Sequence, residues 1–414
     1  MCAINHFKKT GQRLSGSALF YALLITTLVG IVLTALLSIW MYFRASHQKD
    51  LKLWDQLTEL ESAYLYAAQQ DLNLLDELFI YGQDSVLMTR YHWGVYDVVH
   101  SRIPSSGKTL HKTALLGFKS NLGPALELLD TRKQLALSGK SQIRGNAVLP
   151  SSGITTTTVN GKPFQGGTPL VGTARNGEGQ SPELDTRILD RIMPTNATKV
   201  SLSELADSTT LHFWEAPLHL TGTKIELKDK HWTGPIFVAA DSLITIDRTC
   251  HLDGVILQAP QIQIDTSFSG RLQAFATLEL AVGPNSTLAY PSVLAIIPQG
   301  SFYRQNGRLR IDKNSKIDGF ILGLKSEIAR ESQLLASLED SDVKGRIAWQ
   351  GGLEASGRIE GAVYCDNFFY RGSGGQFYFN YMVDCIIDGP SRSEHWVEPL
   401  IWDQGKKQVA QWLD

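Results

Sequence analysis

From Leu14 to Phe43 the chain runs LSGSALFYALLITTLVGIVLTALLSIWMYF, thirty residues without an Asp, Glu, Lys or Arg. As a helix rising about 1.5 Å per residue, this run would be roughly 45 Å long, against a hydrocarbon layer of about 30 Å. It predicts a membrane-spanning helix over residues 14–43. A secretory signal would carry an apolar region of only about 7–15 residues and a small-residue cleavage site. Here the run ends instead in Trp40, Tyr42 and Phe43, the aromatic residues that settle at a membrane interface. The expected partner of this segment is membrane lipid, and the segment is read as a retained anchor.

Lys8, Lys9 and Arg13 precede the span, and Arg44, Lys49 and Lys52 follow it. Counting Lys and Arg therefore gives a tie, which the α-amino group tips toward an inside N-terminus. Residues 1–13 are expected as a short cytoplasmic tail. The expected location is the inner (cytoplasmic) membrane, crossed once, with the bulk of the chain periplasmic or extracellular.

The start, KKTGQRLSGSALFYALLITTLVGIVLTALL, resembles the N-terminus of type IV pilin-like proteins: a short basic leader, a small residue at the boundary and one long apolar helix. The resemblance covers about the first 45 residues. It implies a prepilin peptidase cut after Gly16, which makes Ser17 the first mature residue. Tyr21 then stands where such proteins usually carry Glu, a departure shared with some minor pilins and with the large tip pseudopilin of type II secretion systems. An ordinary single-pass anchor is the other reading of the same residues.

The whole chain is 43% apolar and 19% charged, a composition that leaves a folded body past the membrane. Net charge is −2, from 39 basic and 41 acidic residues scattered along the chain. With no basic run to neutralise phosphates, nucleic acid is not an expected partner. Cys250 shares the alternating phase of Ile244, Ile246 and Leu252, and Cys365 that of Ile359 and Val363, so both are expected in a core. Cys365 and Cys385 either pair as a disulfide or remain thiols. Cys2 lies on the proposed inner side. No Cys/His spacing suggests zinc.

Residues 44–130 are expected to form a small α+β, pilin-like region. Leu53, Leu57, Leu60, Tyr64, Ala68, Leu72, Leu75 and Phe79 make a helical stripe from Lys49 to about Phe79, with Gly82 as its stop. Strand-like runs follow at Val86–Thr89, Val95–Val99 and Thr109–Leu116, which predict an antiparallel meander. Residues 131–210 are rich in Gly, Thr and Ser and read as an exposed excursion with first strands, ending in a helical pattern over Pro182–Leu205.

Residues 211–390 carry the main body. Apolar pairs separated by one residue recur at Ile225/Leu227, Ile236/Val238, Ile244/Ile246, Val255/Leu257, Ile262/Ile264 and Leu278/Leu280. They fall in two interleaved series, Ile236, Val255, Leu272 and Ile244, Ile262, Leu278/Leu280, repeating about every 16–19 residues. A parallel β-helix, or solenoid, requires such a pattern, because each coil buries its apolar face only against the next. A β-sandwich or jelly roll is the alternative. The coils also resemble the short GxI/V repeats of bactofilins, polymer-forming bacterial scaffolds. The stretch SEIARESQLLASLEDS is expected as a helix outside the solenoid. The aromatic-rich segment NFFYRGSGGQFYFNYMVDCIIDGP is expected as a cap on the last coil, with an aromatic ligand platform as the alternative, and residues 391–414 as a C-terminal tail.

The chemistry-bearing residues are sparse. Asp241, Asp247, Asp253 and Asp265 are the acidic set on adjacent coils, and Asp247 and Asp265 directly follow inward pairs. Both are expected as turn residues bonding their own backbone, and not as a catalytic pair. His395 with Glu398 lacks a third metal ligand, and HExxH, GxSxG, P-loop and dinucleotide fingerprints are absent. No catalytic residue, cofactor or metal site is expected. The function expected from the sequence is a non-enzymatic, membrane-anchored structural or assembly protein, a minor pilin-like component whose partners are assembly proteins or further copies of itself. The alternative is a β-helix that binds or cleaves carbohydrate.

Overall fold

The structure, a computed structural model, describes residues 16–69, 75–79, 85–105, 108–119, 123–177, 192, 197–298, 305–325, 333–391, 396–401 and 406–413. The chain divides into two compact units, residues 1–61 and 62–414. The helix α1, Gly16–Gln69, is continuous over 54 residues, and it contains one segment long and apolar enough to cross a membrane. Every residue from Ser17 to Ala45 is exposed. The hydroxyls within this stretch bond back to the helix itself: Thr26 Oγ1 to the Ala22 carbonyl at 3.0 Å, Thr34 Oγ1 to Gly30 at 2.7 Å and Ser38 Oγ to Thr34 at 2.9 Å. That is how polar side chains become compatible with hydrocarbon, where no water can satisfy them.

The helical stripe expected to reach Phe79 stops at Gln69. Leu75–Phe79 is instead a strand, β1, paired antiparallel with β2, Ser85–Trp93, through Leu75–Thr89 and Phe79–Ser85. Five residues with apolar ends fit a helix or a strand equally well, and the ladder with β2 decides. Gly82 lies outside the described residues. β2 continues into β3, Tyr96–Ser105, and β4, Lys108–Lys119, which completes the expected meander. The segment expected as a C-terminal tail supplies two further strands, Val397–Glu398 and Lys407–Trp412, both antiparallel to β4.

The main body is a parallel solenoid, as the repeat predicts, and the parallel ladders rule out a sandwich. Its inward residues stack in columns on three faces. On the first face, Ile225, Ile244, Ile262, Leu280, Leu309 and Ala336 stand one above another. On the second, Leu288, Ile317 and Val343 are in register, as are Ile359, Ile387, Ile143 and Leu170. The third runs Val200, Leu220, Val238, Leu257, Ala274, Leu294, Ile321 and Ile347. Leu278 is not the stacked residue of its pair; Leu280 is. At one corner a Cβ on Gly345 would lie 1.8 Å from the Gly319 carbonyl oxygen, and one on Gly361 1.8 Å from that of Gly345. Only glycine lets successive coils approach this closely, and φ of 146° and 151° at these two positions excludes a side chain as well.

The Gly/Thr-rich stretch is no excursion: Leu126 stacks on Val363, Ala147 on Leu126 and Ala174 on Ala147, so residues 126–176 are coils beyond the C-terminal ones. Strands of three or four residues separated by glycine corners are too short to display an alternating pattern. The helix expected at SEIARESQLLASLEDS yields to the strand Leu334–Arg371, which places Leu334, Ala336 and Leu338 on the first face. Residues 326–332 lie outside the described set. The expected cap does not close the stack, because its own residues Cys385–Asp388 are a coil strand that carries Gln142–Arg144 on its far side. Of Pro182–Leu205, residues 182–191 and 193–196 are likewise not described, and Thr198–Val200 is a strand.

Two cores result. One fills the solenoid and includes Trp232, Phe268, Trp349 and Phe368. The other lies between the outer side of the third face and the meander, where Phe237, Ile256, Phe275, Val293 and Phe320 meet Trp93, Val95, Tyr96, Val98 and Leu115. Third-face strands such as IFVAA and SVLAI are therefore apolar on both sides, a pattern that period-two reading does not separate from a buried helix. Polar contacts fix the docking. Gln273 accepts the Val95 N–H at 3.0 Å and donates to the Trp93 carbonyl at 3.1 Å, bracketing the β2–β3 turn, and Trp93 Nε1 donates to the Gly254 carbonyl at 2.9 Å.

Candidate functional site

The turn carboxylates behave as structure. Ile246 and Ile264 are stacked partners, so Asp247 and Asp265 begin neighbouring turns. Asp247 Oδ1 accepts the Thr249 N–H at 2.9 Å and its hydroxyl at 2.7 Å, and the first of these bonds leads in holding the carboxyl below its ordinary range. Asp265 Oδ1 accepts the Thr266 N–H at 2.7 Å. Asp253 is clasped by Arg271 from the next coil, with both oxygens 2.6 Å from guanidinium nitrogens, and Asp241 is exposed. The four acids are thus not brought together. Glu398 is buried and pairs with Arg346 at 2.8 Å, while His395 lies outside the described residues. Among the described residues no three His, Cys, Asp or Glu side chains group to hold a metal.

Cys250, Cys365 and Cys385 are buried free thiols. Cys365 pairs in register with Leu128 on the third face and Cys385 with Gly357 on the second. Burial pushes the Cys385 thiol up to about 12 and the Cys365 thiol well above its usual value, so neither is a nucleophile.

The aromatic run builds the most distinctive surface. The end of the strand Leu334–Arg371 folds back antiparallel on Phe377–Phe379, with Phe369 opposite Phe379 and Arg371 opposite Phe377. Alternation puts Phe369, Arg371, Phe377 and Phe379 on one side and Tyr370 and Tyr378 on the other. Phe369 and Phe377 stack with centroids 5.9 Å apart at 27°. The Arg371 guanidinium lies 5.0 Å from the Phe377 ring centre and Lys133 Nζ 4.6 Å from that of Phe379. On the opposite side Tyr378 contacts Tyr370 and Tyr381, and Asn160 Nδ2 donates to the Tyr370 hydroxyl at 3.4 Å. Phe368 is buried in the solenoid and Phe369 is 6% exposed, which anchors the hairpin, whereas Phe377 is 61% exposed. The cluster is legible in the sequence as aromatic residues around glycines. Lys133 and Asn160 come from more than two hundred residues earlier, and no local signal marks them.

The chain matches no family model, no curated protein and no solved structure.

Proposed function

We propose that this chain is a non-enzymatic, membrane-anchored structural or assembly protein, held in the inner membrane by residues 14–43 with its N-terminus inside and its solenoid periplasmic or extracellular. The observation that carries this reading is the uncharged apolar helix in the same chain as an apolar-cored parallel stack. Such a stack is quasi-one-dimensional and rigid along its axis, since each coil is fixed by its neighbours. Asp247, Asp253, Asp265 and Glu398 are each engaged by a backbone amide, a hydroxyl or a guanidinium, which fits a structural role for these four carboxylates. A minor pilin-like component fits the order of a long N-terminal helix followed by an antiparallel meander, and its partners are assembly proteins or further copies.

Membrane fractionation tests the proposal. The full chain is expected to stay with membranes through an alkaline carbonate wash, and a variant lacking residues 14–43 to be soluble. Extraction of the full chain by carbonate would overturn the anchor. The exposed aromatic hairpin favours a second property, glycan binding.

A further inference from the structure

Outside α1, four large apolar side chains among the described residues are exposed: Val171, Phe377, Phe379 and Trp412. Two of the four stand on one side of one three-residue strand. Each carries a cation against its ring, and neither Arg371 nor Lys133 forms an ion pair with a carboxylate among the described residues. Some cations elsewhere on the solenoid do, such as Arg271 with Asp253, Lys325 with Asp366, Lys162 with Asp384 and Arg358 with Asp388. The nearby Glu354 carboxylate accepts the Arg371 backbone N–H at 2.9 Å and the Ser337 hydroxyl at 3.3 Å, and makes no ion pair with the guanidinium. An exposed apolar ring surface with two cations against it that stand outside any ion pair among the described residues is an arrangement that folding alone does not require.

We infer that this hairpin binds an acidic polysaccharide. The ligand must combine flat, C–H-covered faces with negative charge. Aromatic faces carry a negative quadrupole that attracts the C–H faces of sugar rings, as it attracts the two cations already seated there. A uronic acid supplies a carboxylate that Arg371 can take in two parallel hydrogen bonds and Lys133 as a point charge. A peptide adding to the strand edge would find only three residues to pair with, too few for strand addition to give affinity. The compartment rests on the location proposed above, since a surface facing outward meets polysaccharide and not nucleic acid.

The test uses the detergent-solubilised full chain, so the anchor's orientation has no bearing on the result, whereas fractionation reads the anchor alone. Affinity electrophoresis through gels containing polygalacturonate, neutral dextran or polyglutamate measures retardation. Polygalacturonate should retard the chain at least about tenfold more strongly than either other polymer, a difference of about 1.4 kcal/mol. Phe377→Ala with Phe379→Ala should lose at least about tenfold in affinity. Arg371→Gln with Lys133→Gln, which touches no core residue, should lose as much and flatten the salt dependence. Unchanged melting shows that the variants fold. Equal retardation by dextran, equal retardation by polyglutamate, or variants as strongly retarded as the parent would each overturn the inference.

Discussion

Replacing Ile264 by Ala tests the stacking directly. Ile264 is 3% exposed and sits on the first face between Ile246 and Val282. Burying such a side chain contributes about 1.5–3 kcal/mol, and the cavity left by truncation raises the loss to about 2–5 kcal/mol. Its neighbour Gln263 is exposed and its side chain points away from the column, so Gln263→Ala should change stability by no more than about 0.5 kcal/mol. Ile264→Asp should unfold the solenoid, because an isolated buried carboxylate costs several kcal/mol of the roughly 5–15 kcal/mol that holds a domain together. Urea unfolding of the full chain in detergent, followed by tryptophan fluorescence, reads these differences because Trp232 and Trp349 are buried in the same core. A loss at Gln263→Ala equal to that at Ile264→Ala would refute the strand phase.

Burial pushes the Cys385 thiol up to about 12, so in a Cys2→Ala chain Ellman's reagent at pH 8 should label nothing until denaturant is added; fast native labelling would contradict the buried placement. Asp97 is fully buried between Arg90 and His92. Burial alone would raise its carboxyl, but the hydrogen bond from His92 and the Arg90 charge outweigh that and hold it low. The stability it contributes is therefore present above the unfolded pKa of about 3.9 and is lost as pH falls through the lower folded value. Asp97→Asn should cost about 3–5 kcal/mol at pH 7 in urea unfolding, with the cost shrinking below about pH 4; a cost independent of pH would contradict the ion pair. His100, chiefly through burial, falls to about 4 from 6.5, so stability should decline as pH drops from about 6.5 to about 4. His100→Gln should flatten that slope in a melting-temperature series, and an unchanged slope would reject the assignment. Asp247→Asn with Asp265→Asn should cost no more than about 1–2 kcal/mol of stability and leave polygalacturonate retention unchanged, and loss of retention would move the site to the turns.

The long apolar helix and the solenoid were legible because each follows from a one-dimensional pattern. Thirty uncharged residues mark a long apolar helix, and Ile244, Ile262 and Leu278/Leu280 recur at a near-even interval of the kind that stacked coils produce. The coils at residues 126–176 were hidden because their strands are short and their partners, such as Val363 and Ile387, lie more than two hundred residues away. The long helix was overextended because Leu72, Leu75 and Phe79 keep a helical spacing that a β ladder later overrides. Burial of the third face on both sides depends on the meander docking there, and no local pattern announces that Phe237 and Phe275 point outward into a second core. At the hairpin the aromatic residues were visible from sequence, but the cations that define its chemistry were only half so, since Arg371 is local and Lys133 is not.

The most direct test of the central claim is topology. Alkaline phosphatase, active only outside the cytoplasm, and a fluorescent protein that folds only inside it can each be fused after Ser46 and after Asp414 in the full chain. Phosphatase activity with no fluorescence at both positions is the predicted result. Fluorescence with no phosphatase activity at both positions would contradict the account by placing the solenoid inside.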